Sequence, residues 1–99
     1  MTRIEWTPGA LRDLTNIRTY ISKDSAFYAD RFIARLTRAV DQLENHPRSG
    51  RRVPESDDES IRELIFQNYR IIYRCDEESA KIIAVLHGAR NVQADDLRS

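Results

Sequence analysis

The sequence predicts an α+β fold, with an N-terminal strand and an antiparallel two-helix hairpin packed on one face of an antiparallel β-sheet. Three observations predict it. Apolar side chains recur at three- and four-residue intervals from Leu11 to Leu43, the period of amphipathic helices. Three β-branched and aromatic runs, Ile61–Phe66, Tyr69–Arg74 and Ile82–His87, follow one another across short polar breaks, as in an antiparallel meander. A short strand segment, Arg3–Trp6, precedes the first helix start.

In chain order, Thr7-Pro8 combines a threonine N-cap with a proline at the first helical position. Leu11, Leu14, Ile17 and Ile21 then form the apolar stripe of the first helix, and Ser22–Ser25 breaks it. The second stripe is Ala26, Ala29, Phe32, Ile33, Leu36, Val40 and Leu43, ending before His46-Pro47, since the residue before a proline disfavours helical backbone. A long loop, Arg48 to Ser60, leads into the strands.

A tight Gln67-Asn68 turn sets Phe66 opposite Tyr69, Leu64 opposite Ile71 and Arg62 opposite Tyr73 on one face. Ile61, Glu63, Ile65, Arg70, Ile72 and Arg74 take the other. If the next turn runs from Asp76 to Ser79, Cys75 faces Ala80. Lys81, Ile83, Val85 and His87 then join the Arg70/Arg74 face, while Ile82, Ala84 and Leu86 join the Leu64/Ile71 face. The helices cover the second of these, so the first is expected to stand open, with arginines around an apolar floor.

The chain has 99 residues, the size of one domain spanning 1–99, and too few for separate cofactor and substrate domains. Formal net charge is zero. Residues 1–52 nevertheless carry ten Lys/Arg against six Asp/Glu, and residues 53–99 six against ten. Every basic residue except Lys23 and Lys81 is arginine, which favours planar bidentate contacts to carboxylate or phosphate. One cysteine excludes an internal disulfide framework, and two histidines with it cannot make a usual zinc site. With three glycines there is no phosphate-cradling loop, so neither a metal nor a cofactor is expected. Long, evenly amphipathic helices and zero net charge argue against direct DNA reading by a helix-turn-helix. The absence of a charged-then-apolar leader or a long apolar run points to the cytoplasm.

Trp6 followed by Ala10, Asp13-Leu14, Ile17 and Tyr20-Ile21; Leu43 with Pro47 and Gly50-Arg51; Arg62-Glu63-Leu64; Tyr69 to Arg74; and Val85-Leu86-His87-Gly88-Ala89-Arg90 follow one another in a characteristic order and spacing. By these elements the chain resembles, along nearly its whole length, the RelE/ParE toxins of bacterial type II toxin–antitoxin systems. That resemblance implies the same fold and one of two activities. RelE-like members are ribosome-dependent mRNA endoribonucleases, whereas ParE-like members inhibit DNA gyrase and are associated with plasmid stabilisation.

A nuclease on this scaffold needs a base, a cation for the developing phosphorane charge and an acid for the leaving oxygen. His87, Arg70 and either Glu63 or Glu55 are the candidates, with Arg70 at the position of a catalytic arginine in some nuclease members. The His-Gly-Ala-Arg ending looks instead like ParE, without the aromatic residue and added cations of the nucleases. The resemblance therefore implies a gyrase-binding toxin rather than an enzyme, with Arg70, Arg74, His87 and Arg90 as target-binding residues. It also implies a ParD-like antitoxin, whose apolar and acidic groups would meet Ile65, Arg70, Ile72, Arg74, Ile83 and Val85. On the residues alone, His87 reads as a strand-end cap and Arg90 as a partner of Asp95 or Asp96.

Overall fold

In a computed structural model that describes residues 1–97, the elements follow as β1 (Arg3–Trp6), α1 (Pro8–Ser22), α2 (Ala26–Val40), β2 (Arg51–Arg52), β3 (Ile61–Phe66), β4 (Tyr69–Cys75) and β5 (Ser79–His87). Single 3-10 turns follow α2, at Asp41–Glu44, and end the described chain, at Ala94–Leu97. The Thr7 hydroxyl accepts the Ala10 N–H at 3.1 Å, and the Ser25 hydroxyl accepts the Tyr28 N–H at 3.1 Å, so both helices begin on side-chain caps. Leu11 is half exposed, and Ala10 takes its expected place in the core.

The sheet has five strands in the order β1-β5-β4-β3-β2. It is mixed rather than antiparallel throughout, because β1 lies parallel to β5, with Arg3 beside Ser79 and Trp6 beside Ile82. The β3/β4 register is the expected one, Phe66 opposite Tyr69 and Arg62 opposite Tyr73. Gln67 takes a φ of 51° to close this two-residue turn. β2 is a two-residue strand inside the stretch expected to be loop.

The β4/β5 register starts as expected, with Cys75 opposite Ala80 and Tyr73 opposite Ile82, and then shifts so that Ile72 lies opposite Ala84. Ile83 is thus the extra residue of a β-bulge. Beyond it every side chain changes face: Val85 joins the helix-side core, while Ala84 and Leu86 join the other side. The expected faces for Ala84, Val85, Leu86 and His87 are therefore reversed.

The helix-side core gathers Ala10, Ile17, Leu36, Val40, Leu43, Leu64, Ile71, Tyr73, Ile82 and Val85. The opposite face is not open. Ile61, Ile72, Ile83, Ala84 and Leu86 form a second core beneath Val53 and Val92, with Leu97 against its edge. Two irregular segments, 53–60 and 88–97, supply this cover.

Candidate functional site

Arg70 organises the second face. Its Nε donates to Glu63 Oε1 at 2.6 Å, and its two terminal nitrogens grip the Glu55 carboxylate at 2.8 and 2.9 Å. Nη1 also donates to the Arg90 carbonyl at 3.1 Å. Glu55 Oε2 accepts the Val92 N–H at 3.0 Å, so one carboxylate ties the 53–60 loop, the sheet and the C-terminal segment together. Arg51 closes the network from outside, its Nε donating to Glu63 Oε2 at 2.6 Å.

Burial makes this network structural. The Glu63 side chain is 0% exposed and that of Arg70 7%. Charges removed from water this far persist only when paired and hydrogen-bonded. The grip of Arg70, with the Val92 N–H adding to it, lowers the Glu55 pKa to about 2. The paired carboxylates in turn raise the pKa of Arg70, so it stays a cation at any working pH.

Beside the network, a cleft of 820 Å³ runs between the β3/β4 turn, the end of β5 and residues 88–91. Arg51, Ile65, Asn68, Tyr69 and His87 are among its lining residues. His87 stands at the rim, its ring edge-on to Tyr69 at 5.8 Å between centroids. Its Nδ1 accepts the Ala89 N–H at 3.3 Å, a strand-end cap to a backbone N–H. Gly88 lets the chain cross the turn here, since its N–H donates to the Asn68 carbonyl at 2.6 Å and a Cβ would stand 3.0 Å from that oxygen. On the far side of His87 a smaller cleft of 270 Å³ is lined by Asp13, Tyr20, Tyr69 and Arg90 among others. Asp13 Oδ2 accepts the Val85 N–H at 2.9 Å, and burial raises the Asp13 pKa.

The expected site residues thus separate into three groups. Arg70, Glu63 and Glu55 come together, but as an ion network in which the Arg70 guanidinium is paired with both carboxylates, and Arg70 and Glu55 also form part of the wall of the larger cleft. Arg74 is held at the other end of β4 by Asp58 at 3.0 Å and Ser60 at 3.1 Å, and Arg90 by Asp96 at 3.1 Å. Ile72, Ile83 and Val85, expected on an exposed floor, are all buried, the first two in the second core and Val85 under the helices. Ile65 alone of the apolar floor is exposed, at 55%. Arg51 and Tyr69, which line the cleft, were not expected there; the Gly50-Arg51 pair among the elements that resemble the family is the signal for Arg51. Among the described residues, no group of His, Cys, Asp or Glu is placed to hold a metal ion. Among the described residues no helix is long and apolar enough to cross a membrane.

The sequence pattern of the ParE toxin of the type II toxin–antitoxin system parDE matches residues 4–92. The chain belongs to the ParE toxin family. Among its relatives, the Y4kP protein of Sinorhizobium fredii, named for a toxin role, is 42% identical over 89 residues, covering 86% of each chain. Toxin RelE2 of Caulobacter vibrioides is 36% identical over 91 residues, covering 91% of this chain and 99% of that one. A chain of the chromosomal ParDE system of P. aeruginosa shares the fold, with a TM-score of 0.75 at 19% identity over 88% of this chain and 96% of its own. This is therefore a toxin of the RelE/ParE superfamily, and its family is that of type II toxin–antitoxin toxins.

Proposed function

We propose that this ParE-family toxin acts by binding DNA gyrase in the cytoplasm, without turnover chemistry, and that a ParD-like antitoxin neutralises it by direct contact. The observation that carries the binding reading is the state of Arg70. Four donor contacts of its guanidinium are spent on Glu63, Glu55 and the Arg90 carbonyl. A phosphoryl-transfer site needs a cation facing the developing charge, and Arg70 faces two carboxylates instead. Glu63, the candidate proton-transfer group, is sealed between Arg70 and Arg51. His87 and Arg90 then serve as contact residues at and just beyond the end of β5, where both are exposed.

The second reading, a RelE-like ribosome-dependent mRNA endoribonuclease, draws on two observations. One relative carries the name Toxin RelE2. His87 also shares a cleft with Arg51, whose side chain is 60% exposed and could supply a cation from a different strand than expected.

One antitoxin-free preparation tests both. Gyrase supercoiling of plasmid DNA and cleavage of ribosome-bound mRNA are assayed side by side. Blocked supercoiling with intact mRNA is the expected result. Cleaved mRNA with normal supercoiling overturns the proposal and makes His87 and Arg51 the residues to pursue.

A further inference from the structure

The arginines of the chain divide by what they touch. On the sheet and the segments that cover it, Arg51, Arg70, Arg74 and Arg90 are each paired with a carboxylate. On α2 the pattern is the reverse. Arg31, Arg35 and Arg38 are exposed, and among the described residues no carboxylate pairs with any of them. The one carboxylate within the helix, Asp30, is taken by Arg18 of α1 at 2.7 Å.

These three arginines share one side of the helix. Spacings of four and three residues set them in a stripe opposite the buried Ala29, Phe32, Leu36 and Val40. At the rise of an α-helix the stripe is about 10 Å long. Arg31 lies over the Phe27 ring, 5.6 Å from its centroid, which anchors the first guanidinium. From Arg31 to Arg38 the exposed positions between are Ala34 and Arg35 alone.

We propose that this face of α2 binds the phosphate backbone of duplex DNA through Arg31, Arg35 and Arg38, so that the toxin touches the DNA its target works on as well as the target protein. This rests on the gyrase reading above, which brings duplex DNA to the toxin. It adds a contact surface on the helix layer, apart from the one at the end of β5.

The make-up of the stripe selects the occupant. A protein partner needs an aromatic or apolar anchor at the centre of its interface, and the centre here is Ala34 and Arg35. A phosphate backbone needs only charge and donors, and such contacts read no base. Each strand of a duplex carries a phosphate about every 3.4 Å along the axis, so the stripe spans about three of them. Arginine meets phosphate oxygens two at a time, where lysine offers a point charge.

The test has two arms, both on the antitoxin-free toxin. Fluorescence anisotropy follows its binding to a labelled DNA duplex of mixed sequence. Lowering the salt from about 200 to about 50 mM should tighten binding about 40-fold, a log–log slope of about −2.7 for three phosphates. Arg35→Gln should flatten that slope by about 0.9, and joint substitution of Arg31, Arg35 and Arg38 by Gln should abolish it. Arg12→Gln, an exposed arginine beside the start of α1, should leave it unchanged. In the supercoiling assay the triple variant should need about tenfold more toxin for equal inhibition, with an unaltered melting midpoint and unaltered binding to DNA-free gyrase.

A salt slope that survives the triple substitution overturns the proposal, as does unchanged inhibition of supercoiling by that variant; either leaves the gyrase reading standing. Weaker binding of the triple variant to DNA-free gyrase overturns it in favour of an acidic protein surface. Loss of mRNA cleavage in that variant overturns it in favour of ribosomal RNA. If the unaltered toxin leaves supercoiling normal, the gyrase reading falls and this proposal with it. The slopes of the single variants decide even if the triple variant fails to fold.

Discussion

The two faces of the sheet are closed by different forces. Under the helices, Leu36, Val40, Leu43, Ile71 and Tyr73 are fully buried against one another, and the Tyr73 hydroxyl is satisfied at their edge. That hydroxyl donates to the Pro47 carbonyl at 2.8 Å and accepts the Gly50 N–H at 3.0 Å. On the other face Ile61, Ile72 and Ile83 are as deeply buried, but their cover consists of irregular segments with few apolar residues of their own. Those segments are fastened by Arg70, Glu55 and Glu63. The first face stays shut because apolar area leaves water, about 25 cal/mol per Å²; the second also needs an ion network. An arginine that a superfamily can use for chemistry is committed here to holding two loops down.

Arg70→Ala should have the largest effect of any change that separates the faces. It leaves Glu63, which has no exposed surface, with Arg51 as its remaining cation, and releases Glu55 from the sheet. Removing one partner of a buried pair costs about 3–5 kcal/mol. Denaturant unfolding that showed Arg70→Ala no worse than Arg35→Ala, on the exposed side of α2, would break the comparison. Leu36→Ala should cost about 2–5 kcal/mol through a cavity under the helices. Its cost should not change as pH falls from 4.5 towards 2, which separates it from a variant that removes the Glu55 carboxylate.

Glu55→Gln sharpens that distinction. One acceptor oxygen becomes an NH2 donor that cannot accept from Arg70 or Val92, and the remaining oxygen is neutral, for a loss of about 1–2 kcal/mol at pH 7. Because the folded pKa of Glu55 is about 2 against an ordinary 4.5, its contribution is fully present above pH 4.5 and is lost as pH falls towards 2. Melting curves of wild type and Glu55→Gln should therefore converge between those two values. Curves that stay parallel throughout would show that Glu55 does not hold the cover.

How much of this the sequence disclosed follows from where its pattern was informative. The helix cap at Thr7 and the β3/β4 register were legible, because the cap stands directly before a proline and the two-residue Gln67-Asn68 break between two β-branched and aromatic runs sets the hairpin pairing. From Ile82 to Leu86 every residue is apolar, so alternation carries no information about facing. The bulge at Ile83 could not be read there, and it moved Val85 and His87 off the expected face. The cover of the second face was hidden for a related reason: Val53, Val92 and Leu97 are isolated apolar residues in polar stretches, with no period to mark them. Glu55 was visible as a carboxylate in the right loop, but its partner could be known only once that loop lay on the sheet. Parallel pairing of β1 with β5 joins the two ends of the chain, which local pattern does not specify.

The smallest structural effect should come from His87→Ala, and it bears most directly on function. His87 is exposed, its hydrogen bond to the Ala89 N–H is long at 3.3 Å, and its contact with Tyr69 lies at the sheet end. Substitutions at such positions change stability by about 0.5 kcal/mol or less. The bulge nevertheless sets this ring on the ridge between two clefts, with Arg51 on one side and Arg90 on the other. If the ridge contacts the toxin's target, His87→Ala should leave the melting midpoint and antitoxin affinity unchanged while growth inhibition in cells falls at least tenfold, about 1.4 kcal/mol of contact energy. Full toxicity in a folded His87→Ala protein would reduce His87 to a strand-end cap and move the target contact elsewhere on the molecule. Loss of toxicity together with a lowered melting midpoint would instead place His87 among the groups that hold residues 88–91 to the sheet. Restoration of toxicity by His87→Gln would then mark hydrogen bonding, rather than protonation, as what the ring contributes.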